Sequence, residues 1–176
     1  LAGCSEDDLN KTSAVLDSPT VENDFDRWLA KNYMEPYNID FKYRFKDVLG
    51  DMDYNLTPAD YGQAIKLAKL TLHLTLQVYD EVTGSRQFIS ENFPKIVHVI
   101  GSPAYNENNN IVLGVAEGGK MMTLYQVNII DYLLNTKDID QLNELFFKTM
   151  HHEFGHILHQ TRPYSTDFNA VTPSSY

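Results

Sequence analysis

The chain has 176 residues, 43% of them hydrophobic, and a net charge of −10 with a pI of about 4.9. That is enough apolar material for one globular domain with a real core, or for most of a larger one. The acidic balance argues against a nucleic-acid partner and against a polybasic membrane patch, and no run of eighteen apolar residues is present to span a bilayer.

The chain opens on Leu1-Ala2-Gly3-Cys4, followed by Ser5-Glu6-Asp7-Asp8. This start resembles a bacterial lipobox, the tail of a signal peptide whose cysteine becomes the lipidated first residue. Cys4 is the only cysteine, so no intrachain disulfide is available, and the alternative is an idle or buried thiol. Acyl chains there would anchor the protein without a membrane-spanning helix. The acidic triplet resembles signals that send lipoproteins to the outer face of the Gram-negative outer membrane. There is no Met at position 1, and both ends read as cut from something longer. The expected division is a lipobox and flexible tether over 1–18 and a folded domain over 19–176 that lacks a C-terminal part.

Ser18-Pro19 predicts a helix start, with Phe25, Trp28, Leu29 and Tyr33 as a core stripe and Pro36 as the end. Residues 39–49 alternate, Ile39, Phe41, Tyr43 and Phe45 against Asp40, Lys42, Arg44 and Lys46, which predicts a strand with one buried face. Asp51 and Asp53 follow in a polar connection and read as turn residues, with Ca²⁺ binding as the alternative. Thr57-Pro58-Ala59-Asp60 reads as the capped start of a long helix to about Val82. It is apolar nearly all round from Ala64 to Val78, so burial on more than one side is expected, with His73 in the core or at a cleft edge. Strands are expected at 95–101, with His98 structural, at 111–116 and at 120–128. Their short separations favour antiparallel hairpins.

The last amphipathic stretch starts at Asp138, with Gln141 as capping partner, and runs through Leu142, Leu145, Phe146, Met150, Phe154 and Ile157. It carries His152-Glu153-Phe154-Gly155-His156, an HExxH sequence. Each helical residue turns ~100°, so His156 lies ~40° round from His152 and one turn along. Two imidazoles so placed can grip one Zn²⁺, and Glu153 beside them is placed to take a proton from an attacking water. The alternative is histidines on a solvated helix face. A small, mostly antiparallel or mixed sheet packed on a long helix and on this HExxH helix makes an α+β fold.

A catalytic zinc normally has three protein ligands. His159 lies on the same face, but zinc held by His152 and His156 would sit ~3 Å below His156 along the axis, with His159 ~4.5 Å above it. HEFGHIL resembles the metzincin pattern and then departs from it: the helix-breaking Gly of metzincins is missing after His156, and no His follows His159. Three options stay open for the third ligand: His159 after a local distortion, Asp167 reaching back, or a residue beyond Tyr176. His151 reads as a neighbour and not a ligand. His159, if it is not a ligand, is a candidate to support the site or donate to an intermediate, and Tyr164 is a candidate oxyanion stabiliser.

Several stretches together, LAGC, Glu35-Pro36-Tyr37-Asn38-Ile39, Tyr43-Arg44-Phe45 and HHEFGHILHQT with Pro163-Tyr164, resemble a known group. It is the zinc-binding metallopeptidases described as substrate-import-associated zinc metallohydrolase lipoproteins. The resemblance implies a zincin-like fold, zinc on His152 and His156, and Glu153 as general base. It also implies a further helical part whose Glu supplies the third ligand. The implied setting is the outer-membrane surface, beside a TonB-dependent importer and its surface binding lipoprotein, with a peptide or protein as substrate. The alternative is a non-catalytic zinc-binding lipoprotein of such an import complex.

Overall fold

The computed structural model describes residues 22–45, 56–162 and Asp167. Cys4, Pro19, Asp51, Asp53 and Tyr164 lie outside them. Three long helical runs, two shorter helices and a four-stranded sheet carry the fold.

Helix α1 spans 24–37. It starts where Asn23 accepts from the Asp26 N–H and Asp26 accepts from the Asn23 N–H, a reciprocal cap. Pro36 does not end it. The run continues to Tyr37 and stops at Asn38, which takes the left-handed conformation (φ 55°). Pro36 lies two residues past the last of the wider π-type turns at Ala30–Met34, where the ordinary ladder is already interrupted and a missing N–H is tolerated.

Helix α2 spans 61–83 and is ended by left-handed Gly84. Its cap is Asp60, which accepts from Gln63 N–H. Thr57 is instead engaged with the sheet, its carbonyl accepting from Gly101 and its N–H donating to the Ser102 hydroxyl. Leu74 and Val78 are exposed, so α2 is buried on one side only. His73 is exposed too and pairs with Gln77 on its own helix at 2.6 Å. Two shorter helices, α3 (Gln87–Asn92) and α4 (Ile130–Thr136), add to the expected elements. The long run α5 (139–161) starts as expected, with Asp138 accepting from the Gln141 N–H at 3.0 Å.

All three long runs share one device. Their buried residues recur every four positions: Phe25, Leu29, Tyr33, Tyr37; Ala64, Ala68, Leu72, Leu76; Leu142, Phe146, Met150, Phe154. In a pure α-helix each such step drifts ~40°, or ~120° over three steps. Each run contains π-type turns, at Ala30–Met34, Leu72–Leu76 and Asn143–Lys148. These turns hold an extra residue and set the phase back, so that every member of a series meets the same core.

The strands are β1 (Asp40–Lys42), β2 (Ile96–Val99), β3 (Ala104–Tyr105), β4 (Ile111–Val112), β5 (Gly114–Glu117) and β6 (Met121–Leu124). The main sheet has the order β1-β2-β6-β5, and β3 pairs with β4 in a small separate hairpin. The antiparallel expectation holds for β3–β4 and for β5–β6, which turn through left-handed Gly118 and Gly119. It fails for β2, which runs parallel to both β1 and β6. The chain leaves β2, folds the β3–β4 hairpin, returns along β5 at the edge, and comes back up β6 between β5 and β2. That order makes β2 and β6 parallel.

The helices cover one face of the sheet. Phe41, Val97, Val99, Met122 and Leu124 join the helical residues in one apolar core. On the opposite face, Ile100, Ala104 and Tyr125 form a small second cluster with Phe45, Leu56, Val112 and Val115 packed on it.

Candidate metal centre

The HExxH segment lies in the last helical part of α5, Thr149–Thr161. Its inward residue is Phe154, held by three rings: Phe93 at 5.0 Å, Tyr79 edge-on at 5.3 Å and Phe88 at 5.9 Å. Tyr79, from α2, also reaches His151, its hydroxyl lying 3.0 Å from Nδ1. Burial holds the His151 imidazole below its ordinary pKa, favouring the neutral form that can accept this bond. One aromatic residue of α2 therefore grips the helix on both sides of His152.

With Phe154 turned inward, His152 and His156 are turned outward and exposed. Their Nε2 atoms lie 3.0 Å apart and their rings are perpendicular, at 89°. Two nitrogens converging to 3.0 Å can both reach one ion at a Zn–N distance of ~2.0–2.1 Å, and neutral imidazole is a zinc donor. The pair fits. Glu153 is half-buried next to it. A Cβ at Gly155 would meet nothing within 4 Å, so this helical glycine leaves open space beside the pair.

Among the described residues, no three of His, Cys, Asp or Glu come together as a metal-binding group. His159 and Asp167 are both exposed and neither completes the His152–His156 pair. The helix is regular through Thr161. Tyr164 and Cys4 lie outside the described residues.

The wall beside the helix is the β5–β6 hairpin. A Cβ at Gly114 would lie 2.6 Å from Thr149 Cγ2, and one at Gly119 would lie 3.8 Å from Ile157 Cγ2. Edge strand β5 thus runs along the metal-site helix in close contact with it. Sequence reasoning missed Tyr79, Gly114 and Thr149. Tyr79 is hidden in an apolar helix pattern, and a close approach between Gly114 and Thr149 leaves no trace in either local sequence.

A family model described as "Putative zinc-binding metallo-peptidase" matches residues 18–176. No curated protein matches the chain. Among solved structures, the chain is similar to one titled "Crystal structure of a putative zinc-binding metallo-peptidase" from Bacteroides caccae ATCC 43185, with 41% identity and a TM-score of 0.65. The match covers 86% of this chain and 56% of that one, so the chain spans little more than half the length of that relative. On the match over 18–176 and this identity, the chain belongs to the zinc-binding metallo-peptidase family so described.

Proposed function

We propose that this protein is a zinc-dependent hydrolase acting on peptides, with a zincin-type site. The observation that carries the reading is the pair of Nε2 atoms converging to 3.0 Å on a helix pinned from its opposite face. His152 and His156 hold the zinc, and a third donor comes from outside the described residues. Zinc bound there supplies Lewis-acid activation of a water and of the scissile carbonyl. Glu153 takes the proton of the attacking water and delivers it to the leaving amine. The edge of β5 aligns an extended peptide by strand addition. The lipobox-like sequence Leu1-Ala2-Gly3-Cys4 supports attachment to the outer membrane by acyl chains on Cys4, and the resemblance to import-associated lipoproteins supports a place beside a nutrient importer.

The experiment is Glu153→Gln in the full chain. It is expected to keep zinc at wild-type stoichiometry while peptide hydrolysis falls at least ~100-fold, the lower end of what a lost general base costs. Unchanged turnover rejects Glu153 as the base.

A further inference from the structure

We infer that Tyr79 is a positioning residue for the metal site: its hydroxyl, acting through His151, sets the rotation of the HExxH helix about its own axis, and so the direction in which His152 and His156 face. The inference rests on the zinc reading above, in which the third donor comes from another part of the chain. A site completed across elements needs the pair aimed as well as converged. Convergence is internal to one helical turn, whereas aim is set by what the helix packs against.

At ~100° per residue, His152 and His156 each lie ~160° round from Phe154, so the pair faces away from the buried ring. Phe93, Phe88 and Tyr79 pack around Phe154 and bury it, but apolar burial is non-directional. His151 lies ~60° from Phe154 on the same helix, and there the Tyr79 hydroxyl meets Nδ1 at 3.0 Å. A hydrogen bond weakens steeply as it bends, so this contact resists a rotation that the aromatic socket alone would tolerate. One turn earlier, Thr71 Oγ1 lies 3.8 Å from Met150 Sδ, but a thioether is a weak acceptor.

Tyr79 stands on a fixed base. Thr83 Oγ1 donates to its carbonyl at 2.7 Å. The adjacent Asp80 accepts from the Tyr37 hydroxyl at 2.6 Å and lies 3.7 Å from Arg86 Nε, which ties this turn of α2 to the end of α1 and the start of α3. Thr149, ~160° round the helix from His151, is close against Gly114 of β5, so the helix is held from both flanks. A rotation of ~10° would move a group ~6 Å from the axis by ~1 Å. That is several times the ~0.2 Å latitude of a zinc–ligand distance.

The test compares the full-length wild type with Tyr79→Phe, His151→Ala and the double variant. Zinc affinity is read by competition with a chromophoric chelator, and site geometry by the visible absorption of the cobalt(II)-loaded protein. Tyr79→Phe keeps the ring against Phe154 and removes the hydroxyl alone. It is expected to weaken zinc about tenfold, the lower end of what outer partners of metal ligands cost, and to shift the cobalt bands. The Tm of the metal-free protein should stay within ~2 °C of wild type. His151→Ala, at an exposed position, is expected to give the same loss without touching the core, and the double variant no more than either single one. Wild-type affinity and cobalt bands in Tyr79→Phe overturn the inference, whether or not Tm falls. A loss that His151→Ala does not share, or that the double variant adds to, also overturns it. His152→Ala separates this from the reading beneath. Zinc still held tightly there removes the metal site itself, whereas zinc lost there and unchanged in Tyr79→Phe removes only the positioning role.

Discussion

On β2, His98 is fully buried and neither ring nitrogen has a hydrogen-bond partner among the described residues. It sits in a cross-sheet row between Lys42 and Thr123. Burial first, and the Lys42 charge second, hold its pKa below the ordinary 6.5. The folded state therefore binds fewer protons than the unfolded one, and stability is lost as pH falls below about 6.5. Leu at this position removes both the unpaired polar atoms and the titration. His98→Leu is expected to raise stability by ~1 kcal/mol at neutral pH, a gain of ~2–4 °C in Tm. The gain should widen as the pH is lowered toward 5. His151 is shifted in the same direction but is common to both proteins, so the difference isolates His98. Parallel stability curves would reject the account. The convergence of His152 and His156 was legible at this scale because it is set within one turn of one helix. The burial of His98 and the exposure of His73 were not, because each depends on what the rest of the chain packs against it.

Contact between β5 and α5 decides how the cleft wall stands beside the histidines. The space at Gly114 is already taken by Thr149 Cγ2, at 2.6 Å from where a Cβ would be. Gly114→Ala must push strand or helix aside and is expected to cost ~1–3 kcal/mol, as overpacking does. Thr149→Ser removes only the methyl and keeps the hydroxyl that donates to the Glu144 carbonyl at 3.1 Å. Combined with Gly114→Ala it should recover most of that loss, which a double-mutant cycle of Tm or denaturant midpoints would measure. Strict additivity would show that the two do not meet. Helix positions were broadly readable from apolar spacing, and the Asp138 cap from its local pattern. The π-type turns were readable only in retrospect, from the four-residue series. A repeat of four suits both an α-helical stripe and one that needs its phase reset, and the choice is made by the core that the stripe must meet.

Taken together, the described residues make a mixed sheet with its helices on one face and the HExxH helix lying along one edge strand. The α+β class followed from the alternation of helical and strand periods. The parallel pairing of β2 did not, because short separations between strands conceal which neighbours finally pair. Zinc bound by the folded state alone stabilises it by mass action. At a free zinc concentration about a hundred times Kd this amounts to ~2.7 kcal/mol. Chelation is therefore expected to lower Tm by roughly 5–10 °C for a chain of this size, and by far less in His156→Ala.

The most direct measurement is zinc stoichiometry and affinity in the full chain, for wild type, His152→Ala, His156→Ala and His159→Ala. One tightly bound zinc is expected in the wild type, lost in the first two variants and kept in His159→Ala. Zinc that stays tightly bound in His152→Ala or in His156→Ala would contradict the account, and zinc lost with His159 would move the third donor onto this helix.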